Sequence, residues 1–278
     1  MKALEQPECT HPTHYPTDLT DAEWELIKDD ALARSHIGSP RTVCTRCVLN
    51  ALFYLNKTGC QWEMIPHDFP NHSTVYYHFR KWQQNGTWER MNDRLRKQLR
   101  KQEKREAEPS AAIVDSQSVK TTEVGGDVGF DGDKKVKGRK RHIAVDTLGL
   151  LLVVVVTAAS FPEANSAPLL GPKLTGKSSR LKKIWADGGY KEQFIEWFRQ
   201  KCHIIVEIIK RREGVIGFEV QPKRWIVERT FAWLYFFRRL SKDYEYYTTT
   251  SESMVYIASI RLMLKRLTGK KEQAKVVR

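Results

Sequence analysis

Two spacings of apolar residues divide the chain, and over the first hundred residues the spacing is helical. Thr20 opens "TDAEWELI", with Glu23 placed three residues on for a capping box. In "TVCTRCVLNALFYLNKTG", Val43, Cys47, Ala51 and Leu55 fall on one stripe, and Gly59 ends it. Ser73 is expected to cap "STVYYHFRKWQQNG", and Thr87 to start "TWERMNDRLRKQLRKQEKR". Within the former, Tyr76, Phe79 and Trp82 recur every third position and read as its buried side. From Lys97 to Glu108 there is almost nothing apolar, and Pro109 follows; a domain boundary is expected there.

Beyond Pro109 the pattern shortens to runs suited to strands. "AAIVDSQSV", "KGRKRHIAVD" and "LLLVVVVTAA" read as three sequential strands, with a tight turn at Leu148-Gly149. "EANSAPLLG" suggests a short helix, "LKKIWAD" a fourth strand, "KEQFIEWFRQK" a helix and "HIIVEIIKR" a fifth strand. A long helix, "PKRWIVERTFAWLYFFRRL", comes next. This order predicts an α/β fold, a mixed five-stranded sheet covered on both faces, behind an all-α N-terminal region. The expected divisions are helices over 1–96, a charged linker over 97–108, the α/β domain over 109–269 and a basic tail over 270–278.

Composition narrows the partners. The 278 residues include 47 Lys+Arg against 33 Asp+Glu, a net charge of +14, which favours a polyanion such as nucleic acid, with an anionic membrane as rival. The N-terminal stretch lacks a signal peptide's apolar core, and the longest apolar run, Leu148 to Ala159, is too short to span a bilayer. A cytoplasmic, nucleoid-associated protein is expected. Five cysteines without an export signal argue against a disulfide framework. Cys44 and Cys47 have zinc-like spacing, but no second pair follows, and small core residues are the favoured reading.

Three acidic residues carry the candidate chemistry. Asp115 lies in the first strand, Asp187 at the end of the fourth and Glu228 in the first turns of the long helix. In such a sheet they can converge where strand ends splay. Two have a plainer reading, Asp187 as a turn former or helix cap and Glu228 as the partner of Arg224 four residues earlier; Asp115 is harder to dismiss, since Ile113 and Val114 beside it predict burial and a buried carboxylate wants a partner. Converging carboxylates raise one another's pKa unless a cation neutralises them. An all-oxygen set suits Mg²⁺, with Mn²⁺ expected to substitute, and two such ions support phosphodiester cleavage. Gly188 and Gly189 are expected to leave room beside Asp187 for a metal and a DNA backbone.

The stretches "AAIVDSQSVKTTE", "KKVKGRKRHIAVDTLGLLL", "IWADGGY", "RWIVERTFAWL" and "RRLSKDYEYY" closely resemble motifs of the DDE transposases of bacterial insertion sequences, in the branch grouped as insertion sequence family five. "YPTDLTDAEWELI" and "LFYLNKTGCQWEMIPHDFPNHSTVYYHFRKW" resemble that family's N-terminal helical domain. The resemblance implies a ribonuclease H-like catalytic domain with Asp115, Asp187 and Glu228 as its metal-binding triad. It also implies hydrolysis at transposon ends, attack of the freed 3′-hydroxyls on target DNA, and at least a homodimer on DNA. Arg224 matches an Arg of a wider signature, whose flanking Tyr and Lys positions are here Gln221 and Tyr235.

Double-stranded DNA, both transposon ends and target, is therefore the expected partner, and no membrane. "KKVKGRKRH" supplies Lys134, Lys135, Lys137, Arg139, Lys140, Arg141 and His142 as expected phosphate neutralisers, against a reading as a solvated charge run. The preceding "GGDVGFDGD" reads as a flexible hairpin tip. Around "NHSTVYYHFRKW" a helix-turn-helix-like arrangement could lay Tyr77, His78, Arg80 and Lys81 into a major groove. Arg224, Arg229, Arg238 and Arg239 are expected along the long helix with Phe231, Trp233 and Phe237. Arg224 is placed to position a scissile phosphate, and Arg229 is a further DNA candidate. A catalytically silent DNA-binding repressor derived from a transposase is the alternative function.

Overall fold

In a computed structural model the described residues are 15–33, 42–123, 125–209 and 222–269. The expected basic tail and Gln221 lie outside them. Four helices come first. α1 (Asp21–Leu32) begins with the expected capping box: the Glu23 amide donates to Thr20 Oγ1 at 3.3 Å, and the Thr20 amide to Glu23 Oε2 at 2.9 Å. α2 (Thr45–Thr58) is capped by Cys44, whose sulfur accepts from the Cys47 amide at 3.3 Å, while Cys47 is buried. Gly59 ends α2 at φ 74°, a left-handed value that favours glycine. α3 (His72–Gln84) starts two residues earlier than expected, because Asn71 rather than Ser73 caps it. α4 (Thr87–Gln102) follows after two residues.

The charged run expected to be a linker is helical as far as Gln102. Leu99 and Arg100 on it are buried, and Arg100 Nη1 reaches Asp146 Oδ2 at 2.6 Å. One turn of apolar spacing was enough to carry the helix through a sequence that looks solvated.

The sheet is built from β1 (Ala111–Lys120), β2 (Gly129–Asp131), β3 (Val136–Asp146), β4 (Leu151–Ala158), β5 (Lys183–Ala186) and β6 (Ile205–Ile208). β1 and β4 flank β3, both antiparallel to it, and β5 and β6 continue parallel to β1 on its other side. This strand order, with helices on both faces, is ribonuclease H-like. The sheet has six strands rather than five: the supposed flexible hairpin tip contributes β2, which pairs with 136–138 of β3. Asp131 holds that turn, its Oδ1 accepting from the Asp133 and Lys134 amides, both at 3.1 Å.

Gly138 pairs with Lys120 and with Gly129 across the two edges of β3. A Cβ there would fall 1.9 Å from the Val119 carbonyl oxygen, so backbone must move to admit one. Gly138→Ala is expected to cost roughly 2 kcal/mol or more, within the range for overpacking, and a denaturant midpoint at wild-type value would contradict this.

Alternate residues of each strand serve different layers. Ala112, Val114, Ala144, Leu152 and Val153 pack on α5 (Ala167–Lys177) and α6 (Glu192–Cys202). Ile113, Ile143, Val145, Leu151 and Val154 face a larger cluster shared by α1 to α4, α7 (Arg224–Tyr235) and α8 (Thr248–Leu267). α8 lies against α4, β4 and α2 and is buried along most of its length, so the N-terminal helices and the sheet share one core. The long helix expected over 222–240 stops at Tyr235, and a separate 3-10 turn takes Arg238–Leu240. Phe237 adopts an extended conformation between them and is buried in the shared cluster, which ends the helix in favour of packing. Among the described residues no helix is long and apolar enough to cross a membrane.

Candidate active site

Parallel pairing brings the two aspartates together. β1 and β5 match Ile113 with Trp185, and the same register carried two residues on sets Asp187 level with Asp115. Asp115 shares the face of Ile113, toward α7, and is only 7% exposed. Its Oδ1 accepts from the Ser116 amide at 2.7 Å. Burial first, and the charge of Asp187 second, push its carboxyl up to about 7 despite that amide, Arg224 and Lys134. Asp187 sits just past β5, where its Oδ1 accepts from the Gly189 amide at 2.9 Å.

α7 packs on β1 and supplies the third carboxylate. Arg224 and Glu228 are one turn apart on it and share a face. The Arg224 guanidinium lies between two acids, with Nη2 3.3 Å from Asp187 Oδ2 and Nε 3.2 Å from Glu228 Oε1. Glu228 is half exposed, at 51% of its side chain. Two of the three acidic residues thus meet on one cation of the protein's own, whose charge also acts on Asp115. Among the described residues no three His, Cys, Asp or Glu side chains form a ready metal cage, because Glu228 is turned to Arg224. The donor chemistry nonetheless fits a hard divalent ion: all the donors are oxygens, and Asp115 is buried beside a like charge that a cation would relieve.

The expectation for the glycines is half corrected. A Cβ on Gly188 would meet nothing within 4 Å, so that position is open. At Gly189 the space is already taken: a Cβ would fall 2.2 Å from Glu163 Oε2 and 3.1 Å from Asp187 Oδ1. Glu163 lies in a 3-10 turn, Glu163–Asn165, that follows β4. Its Oε1 accepts from the Ser116 hydroxyl at 2.5 Å and lies 3.2 Å from Lys134 Nζ. Burial pushes the Glu163 carboxyl up, but that hydroxyl and ammonium outweigh it and hold it below the usual range. Local sequence carried no signal for Glu163 as a site residue, since it read only as the start of a short helix.

The basic stretch does not form a cationic loop. Most of it is β3, so alternate residues enter opposite layers. Arg139 is fully buried, paired with Asp243 at 3.1 Å and donating to the carbonyls of Asp127, Glu245 and Tyr246. Arg141 is buried too and donates to the Leu240 and Lys242 carbonyls. Lys140 is buried between Asp131 at 3.3 Å and Glu163 at 3.8 Å. Buried His142, whose Nε2 lies 3.1 Å from Thr157 Oγ1, is held down to about 4 by burial and then by Lys140, so it is neutral near pH 7. These four are corrected from DNA contacts to interior groups. Lys134, Lys135 and Lys137 are exposed, and Lys134 Nζ also lies 3.3 Å from the Ser116 carbonyl.

Arg229 is likewise drawn away from the site. Its guanidinium stacks between Trp225 and Trp233, 4.6 and 4.5 Å from the ring centres, and donates to the Leu148 carbonyl at 3.1 Å. Arg238 is exposed, and buried Arg239 pairs with Glu245 at 2.7 Å; neither is on the helix that carries Glu228. Phe231 and Phe237 are buried as expected, with Trp233 half-buried. On α3, Tyr77 and Lys81 are exposed, His78 and Arg80 half-buried. Arg80 reaches Gln83 Oε1 at 2.7 Å. Phe79 and Trp82 enter the core, whereas Tyr76 is 41% exposed and rests edge-on against Trp62.

A family model described as "Putative transposase of IS4/5 family" matches residues 19–92. The "Putative transposase for insertion sequence element IS402" of Burkholderia cepacia is 32% identical over 121 residues. That match covers 41% of this chain and 56% of the relative, so the chain spans little more than half of its length. The solved Mos1 mariner paired end complex with Mn covers 88% of this chain and 84% of that one at 11% identity and a TM-score of 0.28, a likeness too weak to bear on function. The model described as "Transposase DDE domain" matches residues 106–263, more than half of the chain and the whole of the sheet with its acidic centre, and the chain belongs to that family of DDE transposases.

Proposed function

We propose that the protein binds the terminal inverted repeats of an insertion sequence, cleaves the DNA there and joins the freed 3′-hydroxyl ends to target DNA. One observation carries the reading: Asp187 and Glu228, 41 positions apart in the chain, are tied to a single guanidinium beside buried Asp115. Asp115, Asp187 and Glu228 would hold Mg²⁺ or Mn²⁺. When bound, the ions supply an activated oxygen nucleophile and stabilise the leaving oxygen. The chain's own part is positional. Asp115 is fixed by the Ser116 amide, and Arg224 would exchange its carboxylates for a DNA phosphate once those are neutralised.

Exposed Lys134, Lys135 and Lys137 extend the site along a duplex by neutralising phosphates. Tyr77, His78, Arg80 and Lys81 on α3 are the candidates for groove contact. Residues 1–96 would then serve DNA binding and 109–269 catalysis, a division of task across a shared core. Two copies, one for each transposon end, would act together on DNA.

The test is a nicking assay on duplexes carrying the element's terminal repeats, with Mg²⁺ or Mn²⁺. Asp187→Asn is expected to keep DNA binding and lose nicking by about 10³-fold, as for removal of a group that acts in the transition state. Wild-type protein that shifts the repeats and never cuts them with either ion would instead support the repressor.

A further inference from the structure

Glu163 presents its two oxygens to different surroundings. Oε1 is fully engaged, by the Ser116 hydroxyl, by Lys134 and, at 3.8 Å, by Lys140. Among the described residues no donor reaches Oε2, which lies over the Gly189 backbone next to Asp187 Oδ1. Only a residue without Cβ leaves both carboxylates on this turn.

A second observation comes from Tyr190, three residues after Asp187. It is 1% exposed, and its hydroxyl has no hydrogen-bond partner. Burial raises that hydroxyl's pKa well above its ordinary value, and the charges of Asp115, Glu163 and Asp187 add to this while Arg224 opposes it. A buried hydroxyl that bonds to no acceptor leaves a donor without a partner three residues after Asp187. Water supplies the missing bonds in such polar gaps, and a hard divalent cation brings water with it.

We propose that Glu163 is a positioning residue of the centre, whose Oε2, together with the Tyr190 hydroxyl, holds the water shell of a divalent cation bound by Asp115 and Asp187. This rests on the cation-binding reading of those two aspartates. It accounts for a carboxylate that lies beside the centre although no three acids there form a cage. Outer partners of this kind are worth about 10- to 100-fold in metal affinity.

The experiment is Mn²⁺ titration of the full chain without DNA, following the free-ion signal by electron paramagnetic resonance, with melting of the cation-free protein as a fold check. Glu163→Gln keeps the acceptor for Ser116 and is expected to bind Mn²⁺ about 10-fold more weakly or worse, with a melt that stays cooperative but falls modestly because Lys134 and Lys140 lose a charged partner. Glu163→Asp, which retains the charge, is expected to recover part of that loss, and Tyr190→Phe to weaken binding several-fold, about 3- to 10-fold. Wild-type affinity in both Glu163→Gln and Tyr190→Phe overturns the proposal. If those two bind normally while Asp115→Asn loses the ion, the roles of Glu163 and Tyr190 fall and the cation-binding reading stands. If Asp115→Asn also binds normally, or the wild type binds no Mn²⁺, the cation-binding reading falls with it.

Discussion

Asp115→Asn is expected to stabilise the cation-free protein at pH 8 while abolishing cation-dependent cleavage. The stability half follows from linkage. The carboxyl titrates at about 7 in the fold, pushed up by burial and by Asp187, whereas in an unfolded chain it titrates near 3.9. Between those two values the native state holds a proton that the unfolded state has released, so stability falls as pH rises across this window and levels off above it. Three pH units of difference set an upper bound of about 4 kcal/mol. Asparagine keeps the acceptor for the Ser116 amide and removes the penalty, so the gap between variant and wild type opens from pH 4 to 7.

A divalent cation reverses the wild-type trend, because it favours the ionised form. Mn²⁺ should therefore raise the wild-type melting temperature more at pH 8 than at pH 5, and leave Asp115→Asn flat. Melting curves at both pH values, with and without Mn²⁺, measure this. Cation-free wild type more stable than the variant at pH 8 would mean that Asp115 is already neutralised by a group of the protein. On terminal-repeat DNA the same variant should fall in nicking rate by about 10³-fold.

Arg139→Leu is expected to damage the fold rather than DNA recognition. The guanidinium joins β3 to the segment before α8 through Asp243 and the Glu245 and Tyr246 carbonyls, and to the β1–β2 connection through the Asp127 carbonyl, with the Asp243 pair fully buried. Its removal leaves the Asp243 carboxylate buried and unpaired, which costs about 3–5 kcal/mol. That is a large share of the roughly 5–15 kcal/mol that holds a folded domain. Lys135→Ala with Lys137→Ala, by contrast, removes exposed charge, and should leave the melting temperature within about 2 °C while lowering the salt dependence of DNA affinity by about two phosphate contacts. Urea melts and binding at several salt concentrations separate the two. An Arg139→Leu protein of full stability with a reduced salt slope would restore Arg139 to the DNA surface.

How legible the site was depended on the range of each signal. The strand runs around Ile113, Val154 and Ile184 were readable because burial on both faces leaves an apolar stretch in the chain itself. The approach of Asp187 to Asp115 was readable as a possibility, since strands one and four of such a sheet are neighbours. α8 was passed over as an element: "SESMVYIASIRLMLKRL" is apolar nearly all round because α4, β4 and α2 enclose it, and no stripe announces it. "KKVKGRKRH" was misread because charge in a sequence signals solvent, and here Asp243 and a set of carbonyls from distant segments satisfy it inside.

By itself the sequence determined the order of the helices and strands apart from β2 and α8, the two punctuating glycines at 59 and 149, the capping box and the acidic residues at 115, 187 and 228, all of which are written in spacing or in neighbours a few residues away. The tertiary structure alone decided that Arg224 stands between two of those acids, that Glu163 fills the space over Gly189, and that four basic residues point inward. These depend on which side chains meet across the sheet and between layers, and a charge has no fixed meaning until its partner is in place. Burial makes an unpaired charge so costly that folding selects the partners, and those partners come from stretches of chain that no local pattern connects.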